Sequence, residues 1–171
     1  MDATKVYLQA VIDNYSRKIL TWCVATRFDV MNTVNILREA VRNAVSAVST
    51  PTLLVDGGSE NLNASVDELI NDGILSRVIA VKDIRFSNSL IETLWRTMKH
   101  QWLFFHPLDT AVTVTRLVAF YVSAYNSDIP HAAFKGQTPD KVYYGTGAEI
   151  PGKLEQGKAK ARAARLIIIE P

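Results

Sequence analysis

The first third of the chain opens with two short stretches that carry the hydrophobic pattern of β-strands. Residues 6–12 are rich in β-branched and aromatic side chains and end at a turn-like cluster, residues 13–17. A second apolar run follows at residues 19–25. This pattern predicts two neighbouring strands joined by a turn.

Further along the chain, apolar residues at three- and four-residue steps alternate with short apolar runs, which is typical of helices alternating with buried strands. In chain order we expect a helix after Asn32, a strand at 52–55, a weaker helix at 66–74, a strand at 78–81, helices at 88–103 and 113–125, and a helix that opens with Thr138-Pro139. The order predicts an α/β fold in which strand pairing is antiparallel at the start and parallel afterwards.

Length and composition narrow the class of protein. The chain has 171 residues, of which 48% are hydrophobic and 21% are charged, as expected for one globular domain with a core. No apolar run reaches the ~18 residues of a membrane helix, and the first residues do not resemble a signal peptide, so we expect a cytoplasmic protein. The single cysteine, Cys23, excludes an internal disulfide and a cysteine-based zinc site.

Charge is unevenly distributed along the chain. The net charge is only +2, but residues 151–171 contain five Lys or Arg and two Glu, a local charge of +3. Such a tail either follows a phosphate backbone or is a solvated helical end. Composition alone does not decide between these two interpretations.

Two carboxylates stand where a ligand site is expected. Asp56 follows the strand at 52–55 and precedes two glycines, at the strand end where open α/β sheets hold their ligands; an ordinary Asp-Gly turn explains it equally well. Glu92 lies in the first turns of a predicted helix, where Ser89-x-x-Glu92 is also a capping box. Both structural explanations stay open at this point.

The surroundings of the two carboxylates favour a nuclease-like arrangement. Carboxylates on a strand end and on a helix start can converge on hard cations such as Mg²⁺, which prefer oxygen ligands. Arg96 and Lys99 follow Glu92 by one and two helical turns on the same face, where they can hold phosphates. The alternative for these two basic residues is a solvated helix face.

Nearly the whole chain resembles one family, the integrase catalytic core of the DDE transposases and integrases of bacterial insertion sequences. The similarity is carried by five segments in the family's order: VYLQAVIDNYSRKILTW (6–22), LLVDGGSEN (53–61), SNSLIETLWRTMKHQWL (87–103), YNSDIPH (125–131) and QTPDKVYYG (137–145). The resemblance implies a ribonuclease-H-like mixed sheet flanked by helices. It also implies a catalytic core at residues 1–145, followed by the basic tail at 146–171.

The same resemblance assigns roles to the candidate residues. Asp56 matches the second metal-binding Asp and Glu92 the metal-binding Glu, and the 35 residues between them match the family's interval. Arg96 and Lys99 would contact the transposon end. The implied cofactor is Mg²⁺ or Mn²⁺, and the implied partners are the element ends, the target DNA and further copies of the chain. The implied activity is metal-dependent phosphodiester cleavage and strand transfer.

The family's first catalytic Asp lies on a strand before residues 6–12, and this sequence begins inside the turn that follows that strand. We therefore expect the first central strand of the sheet to be missing, with impaired activity and lower stability. The alternative is a non-catalytic fragment that binds DNA or a transposase, as a relic or an inhibitor. A nucleotide-binding α/β domain is disfavoured, because Asp56 and Glu60 stand where a phosphate loop needs bare amides and a Lys.

Overall fold

The computed structural model describes residues 5–44, 50–55, 58, 61–79 and 89–169. These residues form the following elements: β1 Tyr7–Ile12, β2 Ile19–Ala25, α1 Val30–Asn43, β3 Thr52–Val55, α2 Ala64–Asn71, β4 Ser76–Ile79, α3 Ser89–Gln101, α4 Ala111–Ser127, α5 Pro139–Tyr143 and α6 Ile150–Ile169. The chain divides into two compact units, residues 1–122 and 123–171, which are described in turn.

The strands of the first unit pair as the sequence predicted. β1 and β2 form an antiparallel hairpin whose register runs from Tyr7 opposite Ala25 to Ile12 opposite Ile19. In its turn the Asp13 carboxylate accepts a hydrogen bond from the backbone N–H of Ser16 at 2.7 Å. β3 and β4 are parallel. Antiparallel pairing at the start and parallel pairing afterwards are both confirmed.

The described strands form two sheets of two strands each, β1–β2 and β3–β4. Both sheets contribute to one core, because Val11 of β1 and Leu53 of β3 pack against the same buried cluster. That cluster consists of Val34, Leu37, Val66, Leu69 and Leu75. Helices α1 and α2 supply most of these side chains, so they cover the strands from one side and hold the two sheets in one unit.

Helix α1 begins earlier than the prediction that placed Asn32 before it. Asp29 is the N-cap, and its carboxylate accepts from the Met31 N–H at 2.9 Å, which satisfies one of the free amides of the first turn. The later apolar positions of the predicted helix, residues 45–48, lie outside the described residues. Helix α2 is capped in the same way by Asn63, whose side-chain oxygen accepts from the Val66 N–H at 3.1 Å.

The second unit contains a confirmed helix and an unexpected one. Thr138 caps α5 and Pro139 occupies its first turn, as the sequence predicted. Helix α6 lies in the basic tail, and its residues 152–165 are exposed. The apolar pattern did not predict α6, because an exposed helix needs no apolar stripe. Among the described residues, no helix is both long and apolar enough to cross a bilayer.

Candidate functional site

Glu92 lies in the first turn of α3 and is exposed to solvent. Within the described part of the chain, its carboxylate forms no hydrogen bond or ion pair. A helix N-terminus carries a partial positive charge that stabilises an anionic side chain at this position. Glu92 therefore presents a solvated carboxylate that is open to an external cation.

The face of α3 opposite Glu92 is buried. Leu94 and Met98 are buried, at 3% and 1% exposure. Just past the end of α3, the indole N–H of Trp102 donates to the Leu117 carbonyl oxygen on α4 at 3.0 Å, and its ring stacks on Phe120 with centroids 5.1 Å apart. These contacts set both the rotation and the far end of α3, and with them the direction in which Glu92 faces.

Arg96 and Lys99 extend the exposed face of α3 beyond Glu92. Both side chains are exposed, and they follow Glu92 by four and seven residues, so the three share one side of the helix. Over the described residues, neither basic group is paired with a carboxylate. The resulting surface has one anionic group at the start of the helix and two cations behind it, an order suited to a metal ion next to a phosphate.

Asp56 lies outside the described residues, so its distance from Glu92 stays a prediction. The residue before it, Val55, is buried and is the last described residue of β3. The described residues, which do not include Asp56, contain no cluster of three His, Cys, Asp or Glu side chains. Glu92 is thus the described member of the candidate metal site.

The chemistry of the candidate ligands fits a divalent cation of the Mg²⁺ type. Such ions take oxygen ligands and keep several waters, so one or two protein carboxylates are a usual ligand set. Glu92 meets this requirement because it is ionisable, exposed and unpaired in the described structure. If Asp56 is the second ligand, the set is made of carboxylates alone.

Comparison with known protein sequences finds similarity to integrases and transposases. A family profile described as "Integrase core domain" matches residues 82–139. The putative transposase InsK for insertion sequence element IS150 of Escherichia coli strain K12 is 21% identical over 139 residues, which are 81% of this chain and 49% of that protein. The predicted resemblance to the DDE integrases and transposases is confirmed.

Solved structures show that the fold is that of integrase catalytic cores. The catalytic core domain of BIV integrase superposes with a TM-score of 0.61 at 11% identity, covering 83% of this chain and 88% of that one. A chain in the structure of the simian T-cell lymphotropic virus intasome in complex with PP2A regulatory subunit B56 gamma gives a TM-score of 0.66 at 12% identity, covering 84% of this chain and 50% of that one. The ribonuclease-H-like α/β class predicted from the sequence is confirmed.

The segment that matches the integrase core contains part of the candidate site. Residues 82–139 include all of α3, and therefore Glu92, Arg96 and Lys99, whereas Asp56 precedes the matched segment. The chain spans about half the length of the curated transposase it matches. The sequence predicted the helical face of the three residues but missed the bond from Trp102 to α4, because spacing alone does not show which carbonyl an indole N–H reaches.

Proposed function

We propose that this chain is the core part of a DNA integration or transposition enzyme that acts through a divalent metal ion, Mg²⁺ or Mn²⁺. The observation that carries the proposal is the exposed face of α3. There a carboxylate with no partner among the described residues, Glu92, is followed by two cationic side chains that likewise have none, Arg96 and Lys99, within the segment that matches the integrase core. Asp56 is the proposed second carboxylate.

In the proposed mechanism the side chains hold the metal and the DNA. Asp56 and Glu92 would hold the divalent cation. When bound, the cation supplies Lewis-acid polarisation of a phosphodiester and lowers the pKa of a nucleophilic oxygen. Arg96 and Lys99 bind the neighbouring phosphates and so keep the scissile bond in register with the carboxylates. The buried face of α3 makes this register rigid.

The first test measures Mn²⁺ binding to the full chain by electron paramagnetic resonance of the free ion. We expect Asp56→Asn and Glu92→Gln each to weaken binding by roughly tenfold or more, and the loss in the double variant to differ from the sum of the two single losses, because both residues serve one site. Glu39→Gln is the matched control, since Glu39 is also an exposed helical Glu. Wild-type binding by Glu92→Gln contradicts the proposal.

The second test measures strand transfer with Mg²⁺ or Mn²⁺ and duplexes that carry the ends of the matching element. We expect the polypeptide on its own to show little strand transfer. Whatever activity it has must disappear in Glu92→Gln. If the double variant still associates tightly with a transposase or with DNA and has the same effect on transposition as wild type, the chain acts as a binding module.

A further inference from the structure

Helix α6 carries a basic face that the proposed metal site does not use. Lys158, Arg162 and Arg165 are separated by four and three residues, so they line one side of the helix, and all three are exposed. At 1.5 Å per residue the three positions span roughly 10 Å along the helix axis. The other basic residues of the exposed part of α6, Lys153 and Lys160, fall on the opposite side.

A loop of the second unit adds a fourth positive charge to this face. Lys135 and Gly136 both have positive φ, +52° and +88°, which turns the chain back towards α6. The turn packs closely: a Cβ at Gly136 would lie 3.3 Å from the Leu154 side chain. A groove runs between this loop and α6, and Lys135 and Lys158 both line it.

One carboxylate, that of Glu155, lies within the basic face, and its pKa is affected by the cations around it. Glu155 accepts a hydrogen bond from the Lys158 ammonium at 2.9 Å. The pKa of the Glu155 carboxyl is lowered by this bond and the charge of Lys158, and further by the charges of Arg162 and Lys135. These three cations are therefore grouped around one point on α6. With Arg165 included, four cations outweigh the single carboxylate.

We propose that Lys135, Lys158, Arg162 and Arg165 form a binding surface for the phosphate backbone of double-stranded DNA. The inference rests on the proposed function, because it adds a DNA contact in the second unit to the one proposed on α3. It does not depend on the metal site, since none of the four residues belongs to that site.

The composition of the face favours a polyanion over an acidic protein partner. Between Glu155 and Arg165 the helix contains no large apolar side chain. A protein interface needs apolar or aromatic anchors at its centre, whereas phosphate contacts need only basic groups in a row. Duplex DNA presents one charge per ~1.7 Å of its axis, so a row of about 10 Å meets several phosphates. Backbone contacts of this kind are independent of base sequence.

The test measures binding of the full chain to a labelled duplex of random sequence by fluorescence anisotropy, from about 50 to 200 mM salt. We expect the double variant Lys158→Gln with Arg162→Gln to bind roughly tenfold more weakly. The negative slope of log K against log salt concentration should become shallower by about 2. The matched control is Lys153→Gln with Lys160→Gln, which removes the same charge from the opposite face. We expect less than about a threefold loss there.

A third variant tests whether removing a negative charge from this surface raises the affinity for DNA. Glu155→Gln removes the acidic group that lies among these cations in the described part of α6, so duplex affinity is expected to rise. The proposal is overturned if the Lys158 and Arg162 double variant binds DNA like wild type, or if both double variants lose affinity equally, which would indicate net charge alone. It is also overturned if polyglutamate competes as well as DNA. In each of these cases the proposed function is tested separately, by Mn²⁺ binding to wild type and to Glu92→Gln.

Discussion

Replacement of Met98 by Ala tests whether the buried face of α3 positions the candidate site. Met98 is 1% exposed and lies on the same helix as Glu92. Truncating a buried Met to Ala removes apolar contacts and leaves a cavity, at a cost of 2–5 kcal/mol in typical cores. Since Met98 is among the most completely buried large side chains of the described structure, we expect about 3 kcal/mol here.

The assay is urea denaturation followed by the fluorescence of the three tryptophans. With a slope of about 2 kcal/mol per molar urea, a loss of about 3 kcal/mol lowers the midpoint by roughly 1.5 M. Lys99→Ala is the control, because Lys99 is the exposed neighbour of Met98 on the same helix, and its free energy of unfolding should change by less than ~0.5 kcal/mol. Equal midpoints for Met98→Ala and wild type would show that α3 does not pack through this face.

Three further outcomes follow from single contacts. Asn63→Ala removes the cap of α2, the 3.1 Å bond to the Val66 N–H, and should cost about 1 kcal/mol in urea unfolding. Asp67→Asn breaks the 2.7 Å ion pair with Arg77, and its cost of about 0.5–1 kcal/mol should shrink in high salt, as a charge pair requires. Burial raises the pKa of the Cys23 thiol. The rate of alkylation by iodoacetamide should therefore have its pH midpoint above about 8.5 in the folded chain and near that value in urea. The stability contributed by the neutral thiol is present below the pKa of the unfolded chain and is lost as the pH rises through the pKa of the folded chain.

Elements defined by local pattern were predictable from the sequence. The hairpin of β1 and β2, the cap of α5 at Thr138 and the helical face of Glu92 all depend on residues within a few positions of each other. The start of α1 was placed too late because both Asn32 and Asp29 are good caps, and only the backbone shows which side chain meets a free amide. Helix α6 was missed because its support is helix propensity in an Ala- and Lys-rich segment, without a buried face.

Whether the candidate site exists depends on contacts between residues that are far apart in sequence. The sequence shows which residue types are available for these contacts but does not show which of them meet. Val11 and Leu53 are far apart in sequence, yet they pack on one cluster of α1 and α2 side chains, and this brings both strand pairs into one unit. The same cluster supports β3 up to Val55, while Leu94 and Met98 are buried on the side of α3 opposite Glu92. A metal site shared by Asp56 and Glu92 requires both sets of packing contacts to hold their carboxylates at ligand distance from one cation. If both supports are rigid, neither carboxylate has to move when the cation binds. Metal affinity should consequently fall when either support is loosened, even though no ligand has been changed.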